Sequence, residues 1–238
     1  MKVPFIICVC SWFSLLLLPG QPEAEFFSSP PAPTVFSDDK KEGWTNLFEG
    51  NDFSKWTRRD GAEVSSGWMG GWRIEDGVVE RHGLLAKDIA TKEAYRDFEL
   101  RFEWKISEKG NSGVIYRQKD RRGLEYQILD DKRHSDGETP SHRAASLYDL
   151  AAASEKKPLK PVGGWNQGRI VAKGPILEHW LNGERVLRVD MKSKEWERRL
   201  AESKFEERTN FGRRTSPILL QDHLDKVWFR NVWIREIK

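Results

Sequence analysis

Glu125, Gln127 and Asp130 are the residues whose types and spacing could do chemistry in this chain. On an extended strand, residues i and i+2 share a face, so Glu125 and Gln127 point together while Tyr126 and Ile128 point the other way. Ile128 and Leu129 break the alternation, and a bulge there would bring Asp130 onto the same face. Carboxylates and an amide presented from a concave sheet can pass protons or hold a divalent ion. A solvent-facing polar strand is the plainer alternative. Arg117 lies near the end of the preceding run, Gly113 to Gln118. Before it, Asn111-Ser112-Gly113 can let a ligand approach the backbone closely, or simply make a tight turn.

The five histidines divide by context. His82, before Gly83, reads as a solvated turn. His134 and His142 flank the polar loop after Asp130-Asp131, where either can complete a site or sit on the surface. His179 falls in mid-strand within LEHWLNG, a position that suits a hydrogen-bonded core group as well as a functional one. His223 stands in Gln221-Asp222-His223-Leu224-Asp225, where two acids and an amide favour a raised imidazole pKa or metal ligation. No pair has the spacing of a metal motif. A phosphate-binding glycine loop, a dinucleotide fingerprint, His-Glu-x-x-His and a G-x-S-x-G elbow are all missing.

Strands must hold these groups. Phe98, Leu100, Phe102, Trp104 and Ile106 alternate with Glu99, Arg101, Glu103 and Lys105, which predicts a strand with one face buried and one solvated. The central hairpin is expected over Gly113 to Leu129, turning through Lys119 to Gly123. Others are expected at Trp72-Arg73-Ile74 with Val78-Val79-Glu80, through Asp76-Gly77, and at Arg169 to Lys173 with Ile176 to Leu181. Asn182-Gly183 turns into Arg185 to Val189. Leu84 to Ala86 reads as a short strand, Ala144 to Leu150 as a strand or turn, and Ile218 to Gln221 and Val227 to Ile237 as closing strands. One helical pattern covers Lys192 to Phe205, with Trp196 and Leu200 at i, i+4. Many short strands with a single minor helix predict an all-β antiparallel sandwich rather than a βαβ fold.

The 238 residues suffice for one large β domain. Residues 1–24 read as a secretory signal peptide: Lys2, an apolar run from Val3 to Leu18, then small or polar residues to Ala24. Residues 25–42, with Pro30, Pro31 and Pro33, read as a flexible linker, and 43–238 as the folded domain. The chain's two cysteines, Cys8 and Cys10, would leave with the peptide. A periplasmic or secreted bacterial protein without disulfides is expected, with no stable membrane insertion after cleavage. The formal charge of +3, with both signs interleaved, argues against a nucleic-acid partner. Ten of the 11 tryptophans lie beyond the signal segment. They would fill a sandwich core or stack on sugar rings.

Taken in order, GWTNLFEGNDFSKW, DFELRFEWKIS, GNSGVIYR, LEYQILDD, GGWNQGRIVAKG, LEHWLNGERV and LQDHLDKVWFRN resemble the bacterial 3-keto-disaccharide hydrolase family, formerly a domain of unknown function. The resemblance spans roughly Gly43 to Lys238. It implies a concanavalin-A-like jelly roll and cleavage of glycosides already oxidised at C3 of the sugar. The family motifs map onto Arg117, Glu125, Gln127, Asp130, His179 and His223, and less fully onto His134. Leu224 and Ala145 stand where glycine is usual, and the segment from Ala151 to Lys157 lacks an expected proline; these departures bear on substrate preference at the cleft rim.

The roles implied make Glu125 or His134 the base and Asp130 and His223 acid groups or ligands of a divalent metal ion. Arg117, Gln127, His179 and Asn111 would bind the sugar, and Trp180 or Trp68 would stack on it. A non-catalytic carbohydrate-binding module is the competing class, because jelly rolls serve as lectins as well as enzymes. A structural domain of a cell-surface assembly is the third.

Overall fold

Hydrophobic alternation in the long strands builds two sheets around one shared core. The computed structural model describes residues 43–64, 70–84, 86–119, 122–205 and 210–238. The expected signal peptide, the linker and Trp68 lie outside the described residues. The larger sheet contains β1 (Thr45–Asn46), β3 (Gly70–Glu75), β4 (Val78–Gly83), β6 (Phe98–Ile106), β9 (Asn166–Lys173), β10 (Ile176–Leu181), β11 (Glu184–Asp190) and β13 (Val227–Glu236). Its order is β11-β10-β9-β6-β13-β4-β3, with β1 also on β13. The smaller sheet runs β2 (Trp56–Arg58), β5 (Ile89–Thr91), β12 (Leu219–Leu220), β7 (Asn111–Lys119), β8 (Arg122–Leu129). Every pairing is antiparallel. This is the concanavalin-A-like jelly-roll sandwich, all-β with one minor helix.

The core lies between the sheets. Phe98, Leu100, Phe102, Trp104 and Ile106 of β6 all face it and are buried. From the smaller sheet it receives Val114, Tyr116, Leu124, Tyr126 and Ile128. Phe98 meets Tyr116 and Phe102 meets Tyr126 edge to face, at 5.7 and 5.2 Å between ring centres. Such pairs add about 0.5–1.5 kcal/mol each beyond area burial. The face opposite the core is covered as well, which the alternation does not predict. Glu99 is clasped by Arg235, Arg169 and Arg101, and Glu103 by Arg230 and Asn231. The Arg101 and Arg235 guanidinium groups stack on Trp44.

Two local expectations change, and a third, left open between strand and turn, is decided. A short strand lies at Ile89–Thr91, while Leu84 and Ala86 are outside any strand and Leu85, at the centre of the expected one, lies outside the described residues. The stretch around Ala144 to Leu150 is a turn with isolated bridges. The helix α1 is Lys194–Ala201, shorter than the pattern from Lys192 to Phe205. Ser193 sets its start, its Oγ accepting the Trp196 N–H at 3.1 Å, and buried Trp196 with Leu200 docks it on the core. No helix among the described residues is long and apolar enough to cross a membrane.

Candidate active site on the outer face of the smaller sheet

β7 and β8 pair with Gly113 opposite Gln127 and Ile115 opposite Glu125. Since Val114, Tyr116, Leu124 and Tyr126 take the core face, pleating sends Gly113, Ile115, Glu125 and Gln127 to the other. The register carries that face across the whole sheet. Leu219 pairs with Ile115 on one side and Ala90 on the other, and Ala90 pairs with Thr57. One step further, Gln221 N–H donates to Gly113 O at 3.0 Å and Arg59 N–H to Asp88 O at 2.9 Å. Two rows therefore cross the sheet side by side. One is mostly apolar (Thr57, Ala90, Leu219, Ile115) and ends in Glu125. The other reads Arg59, Asp88, Gln221, Gly113, Gln127.

Gly113 is the gap in the second row. A Cβ there would run into the Glu125 carboxylate, with Oε1 its nearest neighbour, so the absence of a side chain is what lets Glu125 lie over β7. The Glu125 carboxylate has no hydrogen-bond partner among the described residues. Burial pushes its pKa up to about 8, Asp88 and Asp136 push the same way, and Lys204 opposes them. Beside it, Gln127 Oε1 and Gln221 Oε1 are buried acceptors without a partner among the described residues. Buried unpaired oxygens cost about 1–3 kcal/mol each, and they mark where a donor belongs.

The flanks of Glu125 differ. On the β8 side, Tyr148 N–H donates to Glu125 O at 3.1 Å and its hydroxyl donates to Asp136 Oδ2 at 3.1 Å. His142 stacks on the Tyr148 ring at 4.3 Å and bridges Asp136 and Asp149 at 3.3 and 3.1 Å. Lys204 Nζ stands 4.0 Å from the centre of the same ring, its backbone held by Asp149 Oδ2 at 2.9 Å. On the β5 side a cavity of about 380 Å³ opens, lined by Arg59, Asp60, Lys87, Asp88 and Asp222. Asp88 is fixed there by Arg59 Nη1 at 2.7 Å and by Asp222 N–H at 2.9 Å.

The predicted residues fall into two groups. Gln127 Nε2 reaches Asn111 Oδ1 at 3.4 Å, and Asn111 N–H donates to Asp225 Oδ2 at 3.0 Å. The same oxygen lies 4.0 Å from His223 Nδ1, and the His223 ring faces that of His134 at 6.4 Å. Gln127, Asn111, His223 and His134 are thus linked through Asp225, and Glu125 shares the face of Gln127.

Asp130 is adjacent but occupied, because its carboxylate accepts the N–H groups of Lys109 and Lys132 at 2.9 and 3.2 Å and its carbonyl accepts that of His134. The expected bulge beside it is absent: register is unbroken from Asn111–Leu129 to Tyr116–Leu124 and shifts only between Tyr116 and Lys119. Among the described residues no three His, Cys, Asp or Glu side chains converge as a metal site would require.

Arg117, His179 and Trp180 are corrections. Arg117 takes a left-handed backbone at φ 46° and is buried at the far end of β7, bonded to Arg96 O, Gly174 O and Asp97. His179 faces the core. Its Nδ1–H donates to Ala145 O at 3.0 Å and its Nε2 accepts from Tyr116 O–H at 2.9 Å, while burial pulls its pKa down to about 4. Trp180, next in the strand, points to the outer face of the larger sheet, with Arg169 and Arg185 over its ring. Asp88, Asp136, Tyr148 and Lys204 are candidate-site residues that spacing did not single out, and Gln221 was read only as a neighbour of His223. Only the pleat register reveals Asp88 and Gln221, and only the return of the chain after α1 delivers Lys204.

Fold and site together define a β-sandwich with an unpartnered carboxyl group of raised pKa on the outer face of one sheet. The chain belongs to the 3-keto-alpha-glucoside-1,2-lyase-like domain family, whose model matches residues 43–235. A 3-keto-disaccharide hydrolase of Bacteroides thetaiotaomicron is 32% identical over 232 residues, covering 82% of this chain and 78% of that protein. The crystal structure of a candidate glycosyl hydrolase from Parabacteroides distasonis superposes with a TM-score of 0.75 at 32% identity, over 85% of this chain and 97% of the other. A second structure of that kind from the same organism gives 0.64 at 27% identity, over 82% and 99%.

Proposed function

We propose that this protein is a glycoside-cleaving enzyme acting on sugars that carry a ketone at C3, and that it works by elimination across C1–C2 followed by hydration. A C3 ketone acidifies the C2 hydrogen. The ionised Glu125 carboxylate takes that proton, and the C–H electron pair becomes the C2–C3 enolate with its charge on O3. The enolate then expels the oxygen on C1. The C3 carbonyl re-forms, a C1–C2 double bond appears, and the leaving oxygen takes up a proton. Water adds its hydroxyl to C1 and a proton returns to C2, so the products are a free 3-keto sugar and an alcohol or second sugar.

The observation that carries this reading is the isolation of Glu125, half-buried and unpartnered among the described residues over Gly113, with its pKa pushed up to about 8. A carboxylate raised in this way is a stronger base than an ordinary one and sits close to working pH. His134 and His223, at the end of the polar chain through Asn111 and Asp225, are assigned to proton supply for the leaving oxygen. Asp130 positions His134. Export through a cleaved signal peptide is part of the same proposal, and N-terminal sequencing of the mature protein checks it.

Incubating the purified protein with a 3-keto-glucoside in D2O is the test. Release of the aglycone with deuterium at C2 of the product is expected. Release without deuterium means direct hydrolysis and overturns the elimination. Sugar binding that survives Glu125→Gln, with no turnover by the wild type, would instead make the protein a binding module.

A further inference from the structure

C1 and C3 flank C2 of a sugar on opposite sides, so a base that takes the C2 hydrogen must have the ketone on one hand and the leaving group on the other. The two flanks of Glu125 are chemically unlike. Towards β8 stands a cation, Lys204, on an aromatic ring, with Tyr148, Asp136 and His142 packed behind it. Towards β5 lies the cavity of about 380 Å³ with alternating acids and bases on its wall, within the roughly 300–1,000 Å³ of small-molecule sites. Resting on the function proposed above, we infer that the cleft fixes the direction of its substrate: the C3 oxygen faces Lys204, and the leaving sugar occupies the cavity lined by Arg59, Lys87, Asp88 and Asp222.

Charge argues for each half. The negative charge of the reaction develops on O3, and a preplaced cation in a partly dehydrated site stabilises such charge best. Lys204 is the cation that acts on Glu125, and its ammonium is held by the Tyr148 ring and the Asp149 anchor, with no ion pair among the described residues. The leaving half needs partners for several neutral hydroxyls. Asp88, Asp222 and Lys87 offer acceptors and donors in turn, and the unpartnered Gln221 Oε1 lies in the same row as Asp88, between it and Gly113. Asp222 is itself steadied by Arg81 at 2.6 Å. A leaving sugar, with several hydroxyls, meets these partners better than a small alcohol does.

Two substrates and three variants test the direction. Wild type should show a higher kcat/KM on a 3-keto-disaccharide than on methyl 3-keto-glucoside. Lys204→Met should lower kcat at least tenfold on both, because both develop the same charge on O3. Lys87→Ala and Gln221→Leu should lower the preference for the disaccharide at least fivefold, mostly through KM. Thermal melts of each variant report whether the fold is kept, and Lys87, which is exposed, carries the test if Gln221→Leu fails to fold. Equal losses on both substrates in the cavity variants, or a Lys204→Met loss confined to the disaccharide, would reverse or abolish the assigned direction. Wild-type protein that turns over neither substrate would overturn the functional reading itself.

Discussion

Each sheet spends one face on the shared core, and the two remaining faces are used in opposite ways. Glu99, on the larger sheet, and Glu125, on the smaller, are both strand glutamates taken largely out of water. Burial pushes both carboxyls up. At Glu99 the push is overcome by Arg235, Arg169 and Arg101, which hold it below the ordinary range. At Glu125 a single lysine faces two added acids, and the carboxyl rises to about 8. The lesson is that burial alone does not make a reactive carboxyl; withholding its partners does. One face is a neutralised Trp–Arg–Glu layer that finishes the fold, and the other keeps its acceptors unpaired.

The widest break in this comparison should come from exchanging charge for shape. Glu125→Gln should cut kcat on a 3-keto-glycoside by at least about a hundredfold, whereas Glu99→Gln should leave kcat within about twofold; single-turnover assays separate the two. Gly113→Ala, which crowds Glu125 off β7, should cost about tenfold or more in kcat with a smaller change in stability.

Stability should then show the reverse ranking. Glu99→Gln strands a cluster of arginines and should cost about 2 kcal/mol in urea unfolding. Glu125→Gln should instead stabilise the protein at alkaline pH. The folded chain holds a proton on Glu125 that the unfolded chain releases above about pH 4.5, so stability is lost as pH rises from there to about 8. The variant's melting temperature should exceed that of wild type at pH 9 and match it below pH 4. Activity runs the other way, with kcat/KM rising as pH climbs through about 8. The smallest effect concerns His179, whose depressed pKa makes the neutral ring part of the fold. Its contribution is complete above pH 6.5 and lost as pH falls towards 4, so His179→Leu should flatten that acid slope in a pH series of melts.

Much of this was legible beforehand because strand alternation is a physical rule. Phe98 to Ile106, the β9–β10 hairpin and the shared face of Glu125 and Gln127 all follow from a period of two. What alternation cannot say is what covers a face. It placed Glu99 and Glu103 in solvent because the arginines that bury them arrive from β9 and β13. It left Trp180 and His179 as sugar contacts because a strand read alone does not reveal which of its faces meets the core. Asp130 looked like a member of the site because its role, gathering backbone N–H groups at a turn, leaves no signature in spacing. The polar row from Arg59 to Gln127 joins five segments across most of the chain, and only their register makes it visible.

The position of β13 has a consequence for how the molecule comes into being. It is the last in chain order of the thirteen strands among the described residues, yet it lies between β6 and β4 and also carries β1. Until it is in place those three strands keep open edges, and the larger sheet exists only as fragments. Closing a sheet through its interior with the last strand in chain order demands contacts of great sequence separation, which makes folding slow, in the range of about milliseconds to seconds. A chain cut anywhere before Val227 would therefore lose the middle of its larger sheet rather than a trim from the side. The span that runs through β13, more than any stable early piece, is the unit that folds.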